Sequence, residues 1–511
     1  MQNDQKIQRT LYSILLAFTF GFLAWNAFTV GIEYFDGIDY IFSGQGLFGA
    51  PWGVKNPKNL QQILFTGAVW RASTALGHRP GLVLFHTLYF GVHAFVPVVV
   101  AGFLRKHLPA LPILAMICVG AWSRIFVHYS PFLLPDLTSA LWIALWFLVE
   151  IEVPEGGRWK TWLRIFVLTG TAMNRPLTLV IPFVAIAWES WAKPERIWPY
   201  FLAALGFLLC FGLVFCGFFF LVSRQVAWGS LVDGLGYLSK FGNSVRLTPG
   251  QPAYAYVPYL QKNLSWPGTA LLLTGAGILV KQRARLPRSF QGLAMGSLAY
   301  IFVLMGIGER TARYLTPTLP AWVMLECLAL AFLEEKRRWL GFLGCIILFE
   351  SVGPEMAHFL DPVYRVNHFE QTAHRIAAWS ESNYVIELPY FAAFHPKDSV
   401  FDANDNYFYL YHWNAENLYL FTNLTAVVQP SATFQHREYP IPDELEKFAP
   451  QGVTVLLPSP EYVTTSNAQD FIYPIFAVRW FDNALARSRR CSPLVREICV
   501  EIFPAFPGIK L

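Results

Sequence analysis

The stretch TWLRIFVLTGTAMNRPLTLVIPFVAIAWESWA, residues 161–192, decides how the chain is read. A helix needs about 20 residues to cross about 30 Å of hydrocarbon. This segment is too long for one upright span and short for two. It is therefore expected to form two abbreviated helices meeting near Asn174-Arg175-Pro176. Counting it as a pair sets the side of the membrane on which every later loop falls.

Working outward, apolar runs of spanning length fall near 11–32, 81–104, 109–127, 131–152, 199–222, 265–281, 291–308, 314–333 and 339–353. With the hairpin this makes about eleven crossings. Composition agrees. Of the 511 residues, 54% are hydrophobic and only 14% charged, where a soluble domain carries about 25% charged residues. The 16% aromatic content suits bilayer-facing surfaces and interfacial belts. The formal charge of +5 is small and sits in short clusters between apolar runs, a pattern of membrane topology and not of nucleic-acid binding.

Those clusters are Lys6 and Arg9, RKH (105–107), RWKTWLR (158–164), KPER (193–196), KQRARLPR (281–288) and EEKRR (334–338). With the hairpin counted as two helices, all fall on the side of the N-terminus, which the positive-inside rule makes cytoplasmic. The start, MQNDQKIQRT, leads into an apolar run without a clear cleavage site and is read as preceding a retained first span. The expected location is the plasma (inner) membrane, with a cytoplasmic N-terminus. The expected domains are a membrane domain, 1–353, with a long first outer loop, 33–80, whose apolar stretches form amphipathic helices on the membrane surface. A soluble α/β domain outside the cytoplasm follows at 354–511. In it NYVIEL (383–388), YFYLYHW (407–413) and VTVLLP (453–458) read as strands, and FEQTAHRIAAWSES (369–382) and PDELEKF (442–448) as helices. Cys491 and Cys499 in this region are either a disulfide or two free thiols. The other cysteines lie in or beside apolar runs and read as small hydrophobes.

Sorting the membrane-edge charges by side leaves a set on the outer face: Glu33, Asp36, Asp39, Arg124, His128, Asp136, Arg175, Glu309, Arg310 and Arg313. A transporter more often carries ionisable residues mid-span, in two related halves. Here they gather at helix ends. A carboxylate beside an acceptor hydroxyl serves as a general base, and arginine makes paired, charge-assisted bonds to a phosphate leaving group. Polyprenyl-phosphate sugars live at this boundary, with apolar tails in the membrane and polar heads in water.

The motifs carry a family resemblance. DGIDY (36–40) with SGQGLFG (43–49) gives an Asp-x-x-x-Tyr followed by a Gly-containing turn in the first outer loop. LLPDLTSALW places Asp136 at the outer start of the fourth span, TAMNRPLTLVIPF supplies the basic hairpin, and ARYLTPTLPAWVML supplies an Arg-Tyr-Leu-x-Pro-x-x-Pro string. In order and spacing over residues 10–335 the chain resembles the GT-C superfamily of integral-membrane glycosyltransferases, especially the branch of protein O-mannosyltransferases and lipid A aminoarabinose transferases. One departure is Gly37, where the family usually has a second acidic residue.

The resemblance implies an inverting transfer of a sugar from a polyprenyl-phosphate donor to an acceptor hydroxyl outside the cytoplasm. On it, Asp36, with Asp39 as its partner or substitute, is the base. Asp136 assists the acceptor or a cation, and Arg313, Arg310 and Arg175 hold the departing phosphate. Tyr40, Glu33, Tyr314 and His128 are further substrate contacts. Some relatives use a divalent cation, and no ligand spacing here fixes one. Simpler roles compete: helix capping for Asp36 and Asp136, interfacial anchoring for Arg175 and Arg313, and satisfied core positions for His86, His93 and His128. The rival functions are an O-antigen-type ligase or polymerase and a lipid or sugar transporter.

Overall fold

The computed structural model describes residues 35–48, 59–77, 82–109, 132–155, 157–223, 256–306 and 312–337, and most of 339–347. It also describes the strand segments 384–387, 427–430, 454–457 and 501–504, and five isolated positions, 13, 17, 21, 24 and 112. Lipid offers no partner to a backbone amide, so apolar segments must satisfy their own hydrogen bonds as helices. They do so in α1 (Phe35–Leu47), α2 (Leu60–Ala75), α3 (Leu82–Leu104), α4 (Pro135–Glu152) and α5 (Arg158–Asn174). The series continues with α6 (Val180–Ala192), α7 (Ile197–Ser223), α8 (Tyr256–Lys281), α9 (Arg288–Met305) and α10 (Leu319–Lys336). Short 3-10 turns at Pro176–Leu179, Pro194–Arg196 and Ala312–Thr318 join or open several of these.

Among the described residues, Leu84–Leu104, Pro194–Phe218 and Arg313–Lys336 are each long and apolar enough to cross a bilayer. The expected spans near 11–32 and 109–127 lie outside the described residues, apart from isolated positions. The 161–192 segment forms the expected pair of short helices, 17 residues in α5 and 13 in α6. Arg175 breaks them with an extended backbone (φ −156°, ψ 98°), and Pro176 then opens a 3-10 turn. At the opposite ends of these helices, Trp159, Trp162, Trp191 and Trp198 are exposed beside Arg158, Lys193 and Arg196. Exposed tryptophan next to basic residues marks a membrane–water interface. Along α7, Phe201, Leu202, Leu205, Leu208, Leu209 and Leu213 are exposed, as a lipid-facing surface requires. α8 is kinked at Ser265, which adopts φ 61°, two residues before Pro267.

One expectation for the first outer loop is corrected. The Gly-containing turn after Tyr40 is helix, because α1 runs through Gly44 and Gly46 to Leu47. Its described side chains from Gly37 to Gln45 are buried, so α1 is packed against protein along that stretch. The glycine serves close approach. A β-carbon on Gly44 would sit 2.5 Å from the Gly67 amide nitrogen and 2.7 Å would separate one on Gly67 from the Gly44 carbonyl oxygen. Small residues let helix backbones meet this closely. Gly44→Val is expected to wedge α1 from α2 and lower stability by about 1–3 kcal/mol, read as a lower melting temperature in detergent. Gly91→Ala in α3, where a β-carbon meets nothing within 4 Å, is the control and should change little.

The chain forms two compact units, residues 1–25, 43–68 and 87–358 in one and 26–42, 69–86 and 359–511 in the other. The second contains a mixed sheet of β1 (Tyr384–Glu387), β2 (Val427–Pro430), β3 (Thr454–Leu457) and β4 (Glu501–Pro504), in the order β2-β3-β1-β4. β3 runs parallel to both neighbours, with Val385 opposite Thr454 and Val428 opposite Val455, and β4 closes antiparallel on β1. β1 and β3 fall within NYVIEL and VTVLLP. YFYLYHW, the two expected tail helices and the Cys491–Cys499 pair lie outside the described residues.

Candidate functional site

The site is built where α4 begins and α5 ends. Proline is tolerated at the first position of a helix and an acid is favoured in the first turn, so Leu134-Pro135-Asp136 starts α4 naturally. Leu134 is extended (φ −94°, ψ 143°), and no side chain caps the helix. Asp136, only 1% exposed, is the acid of that first turn. Its Oδ1 accepts a hydrogen bond from Arg175 Nη1 in a buried ion pair. One residue back, Asn174 Nδ2 donates to the Pro135 carbonyl at 2.7 Å and to Ser139 Oγ at 2.6 Å, while Asn174 Oδ1 accepts from Gln62 Nε2 of α2. Two consecutive residues of α5's end thus grip two consecutive residues of α4's start.

The third contributor is the 3-10 turn Ala312–Thr318, which carries the Arg-Tyr string. The Arg175 guanidinium lies 4.1 Å from the Tyr314 ring centroid, and the Arg313 guanidinium lies 5.4 Å from the same centroid. Cations over an aromatic face are held by its quadrupole, more strongly where water is excluded. Arg313 is buried at 6% exposure, so it is not a snorkelling anchor. Thr316 Oγ1 donates to the Arg313 carbonyl at 2.5 Å and fixes the turn. Tyr300 of α9 is fully buried and close enough to feel the charges of both Arg175 and Asp136.

The structure thus brings together Asp136, Arg175, Arg313 and Tyr314, which are scattered over 179 positions of sequence. Asp36 and Asp39 lie on α1, but their side chains are outside the described residues. Tyr40, on the same helix, is buried. Glu33, His128 and Arg310 are also outside the described residues. His93 is the satisfied core residue expected, with Nε2 3.0 Å from Thr138 Oγ1. Among the described residues no group of three His, Cys, Asp or Glu side chains is placed to hold a metal.

Asn174, Gln62, Ser139 and Tyr300 were not anticipated. Asn174 stood inside a quoted motif, and its place beside Arg175 at a helix break was the available signal. A second cluster was missed altogether, because its members were read as markers of topology. At the other ends of α4 and α5, Arg164 donates through Nε to Glu150 Oε1 at 2.7 Å and through Nη2 to Oε2 at 2.8 Å. Lys160 Nζ donates to the Glu150 and Val153 carbonyls at 3.1 and 2.9 Å and to Glu155 Oε1 at 2.8 Å. The Tyr200 hydroxyl lies 3.0 Å from both Glu150 Oε2 and Glu189 Oε2, and Arg196 reaches Glu189 at 2.9 Å. Burial pushes the Glu155 carboxyl up, but the Lys160 hydrogen bond and the charges of Arg164, Lys160 and Arg196 outweigh it and leave it below the ordinary value. This cluster is internally satisfied and reads as a structural joint.

With the geometry defined, solved structures of known proteins bear on the fold. ArnT from Cupriavidus metallidurans in the apo state aligns over 81% of this chain and 75% of that one, at 12% identity and a TM-score of 0.51. The same protein bound to undecaprenyl phosphate aligns over 80% and 69%, at 12% identity and a TM-score of 0.48. The archaeal oligosaccharyltransferase AglB from Archaeoglobus fulgidus, in complex with an inhibitory peptide and a dolichol-phosphate, aligns over 79% and 60%, at 11% identity and a TM-score of 0.49. No family model matches the chain, and no curated protein matches it in sequence. The chain is an integral membrane protein of helical, polytopic design. Its fold is similar to that of ArnT.

Proposed function

We propose that this protein is a multi-pass glycosyltransferase that moves one sugar, with inversion, from a polyprenyl-phosphate donor to an acceptor hydroxyl on the extracytoplasmic face. The observation that carries this reading is the pair of guanidinium groups, Arg175 and Arg313, held on one tyrosine ring at the end of membrane helices. Arginine's planar fork suits a phosphate that leaves with its charge, and no general acid is needed for so good a leaving group. The GT-C fold supports the same class of chemistry. On this reading Arg175 and Arg313, with Arg310, hold the donor phosphate, and Tyr314 orders the guanidinium groups. Asp36 takes the acceptor proton, with Asp39 beside it in the motif. The clusters of Lys and Arg support a cytoplasmic N-terminus in the plasma (inner) membrane, and residues 354–511 form the outer α/β domain.

ArnT binds undecaprenyl phosphate, which makes polyprenyl-phosphate sugars the first donors to try. Purified protein given a labelled polyprenyl-phosphate sugar and candidate acceptors is expected to release polyprenyl phosphate. Asp36→Asn is expected to slow that release by roughly a hundredfold or more. Full activity in both Asp36→Asn and Asp39→Asn would remove the base assignment. Movement of the intact donor across sealed vesicles without any transfer would replace the enzyme by a transporter.

A further inference from the structure

We infer that Asp136 is a positioning residue for the phosphate-binding arginine, acting on neither the acceptor nor a cation. The inference rests on the anion-site reading above and assigns the carboxylate a different task within it. Asp136 is buried, and its Oδ1 is engaged by Arg175 Nη1. A base must reach the acceptor proton, and a cation ligand must offer a free oxygen toward the ion. Asp136 instead gives Oδ1 to Arg175, and at 1% exposure its carboxylate as a whole is closed to an incoming acceptor or a hydrated ion.

The joint also explains why a carboxylate is needed. Arginine has five N–H donors in a rigid plane. The Arg175 Cζ lies over the Tyr314 ring, 4.1 Å from the ring centroid, which holds the guanidinium against the ring. A ring contact alone lets the plane rotate over the aromatic face. The Asp136 bond to Nη1 opposes that rotation and uses one of the five donors. Arg175 keeps 16% of its side chain exposed, against 1% for Asp136, so the exposed part of the pair belongs to the cation. Asn174 holds the Pro135 carbonyl one residue away at 2.7 Å, so the carboxylate is itself carried by a fixed backbone. Asp136 further offsets the repulsion between Arg175 and Arg313, like charges sharing one ring.

The two roles predict opposite signs for phosphate binding. A carboxylate that acts on the acceptor merely repels an anionic donor, so its removal tightens phosphate binding or leaves it alone. A positioning carboxylate weakens binding when removed, and only through Arg175. The experiment is a double-mutant cycle on the purified full chain: wild type, Asp136→Asn, Arg175→Gln and the double variant, each titrated with undecaprenyl phosphate and separately with inorganic phosphate. Expected is a tenfold or greater rise in Kd for both probes in Asp136→Asn, and no further loss when Asp136→Asn is added to Arg175→Gln. Asp136→Glu is expected to recover part of the affinity, and melting temperatures exclude gross unfolding. Unchanged or tighter binding in Asp136→Asn, or losses that simply add in the double variant, overturns the inference. Wild-type binding of inorganic phosphate without the lipid removes the lipid-donor reading and leaves the positioning role intact. Binding of neither probe overturns both.

Discussion

Arg164→Met is expected to destabilise the membrane domain by about 3–5 kcal/mol, the usual cost of removing one partner from a buried pair. Glu150 would keep its charge but lose both prongs of its arginine, at 2.7 and 2.8 Å, in a position where the two side chains are 3% and 1% exposed. The damage would spread. Arg164 also lies 4.2 Å from the Tyr200 ring centroid, and Tyr200 links Glu150 to Glu189, so one substitution loosens α4, α5, α6 and α7 together. Thermal unfolding in detergent checks this. The double variant Glu150→Gln/Arg164→Met should be less destabilised than Arg164→Met alone, because it leaves no buried carboxylate offset only by Lys160 at 3.7 Å. If Arg164→Met melts within a degree of wild type, the cluster contributes nothing as a joint.

Gly275→Leu is the second change expected to defeat folding. A β-carbon on Gly275 would meet the Leu325 carbonyl group of α10, and backbone atoms cannot rotate aside as a side-chain end can. Overpacking of this kind costs about 3 kcal/mol or more, and Gly275→Ala should already show part of it. The consequence reaches the site, because α10 continues directly from the 3-10 turn that carries Arg313 and Tyr314. Folded protein recovered from Gly275→Ala should therefore bind phosphate more weakly. Normal melting in Gly275→Leu would mean that α8 and α10 are not in close contact there.

The sequence reading recovered what lies within single segments and missed what lies between them. The break at Asn174-Arg175-Pro176 was legible because proline and a polar pair interrupt an apolar run, and α5 ends there. The start of α4 at Pro135 was legible for the same reason. The pairing of Asp136 with Arg175, 39 residues apart, was not, because periodicity says which residues share a face and is silent on which helix that face meets. The grouping by membrane side put both in one set, which is as far as topology reaches. Gly44 fits a turn or a close helix contact equally well by sequence, and only the position of Gly67 separates them. Lys160 and Arg164 carried a true topological signal that masked their second use against Glu150.

The lengths of α4 and α5 bear on how a lipid could reach the arginines. At about 1.5 Å per residue, the 17 residues of α5 are roughly 25 Å long. A typical hydrocarbon layer is about 30 Å thick. On the proposed topology, an upright α5 with exposed Trp159 and Trp162 at one interface would end, at Arg175, about 5 Å short of the opposite one. A phosphate held there would then lie below the plane of the surrounding headgroups, and a lipid would dip or the leaflet thin around the protein to reach it. Bilayer thickness, set by acyl-chain length, then becomes a control on occupancy that no side chain at the site needs to supply.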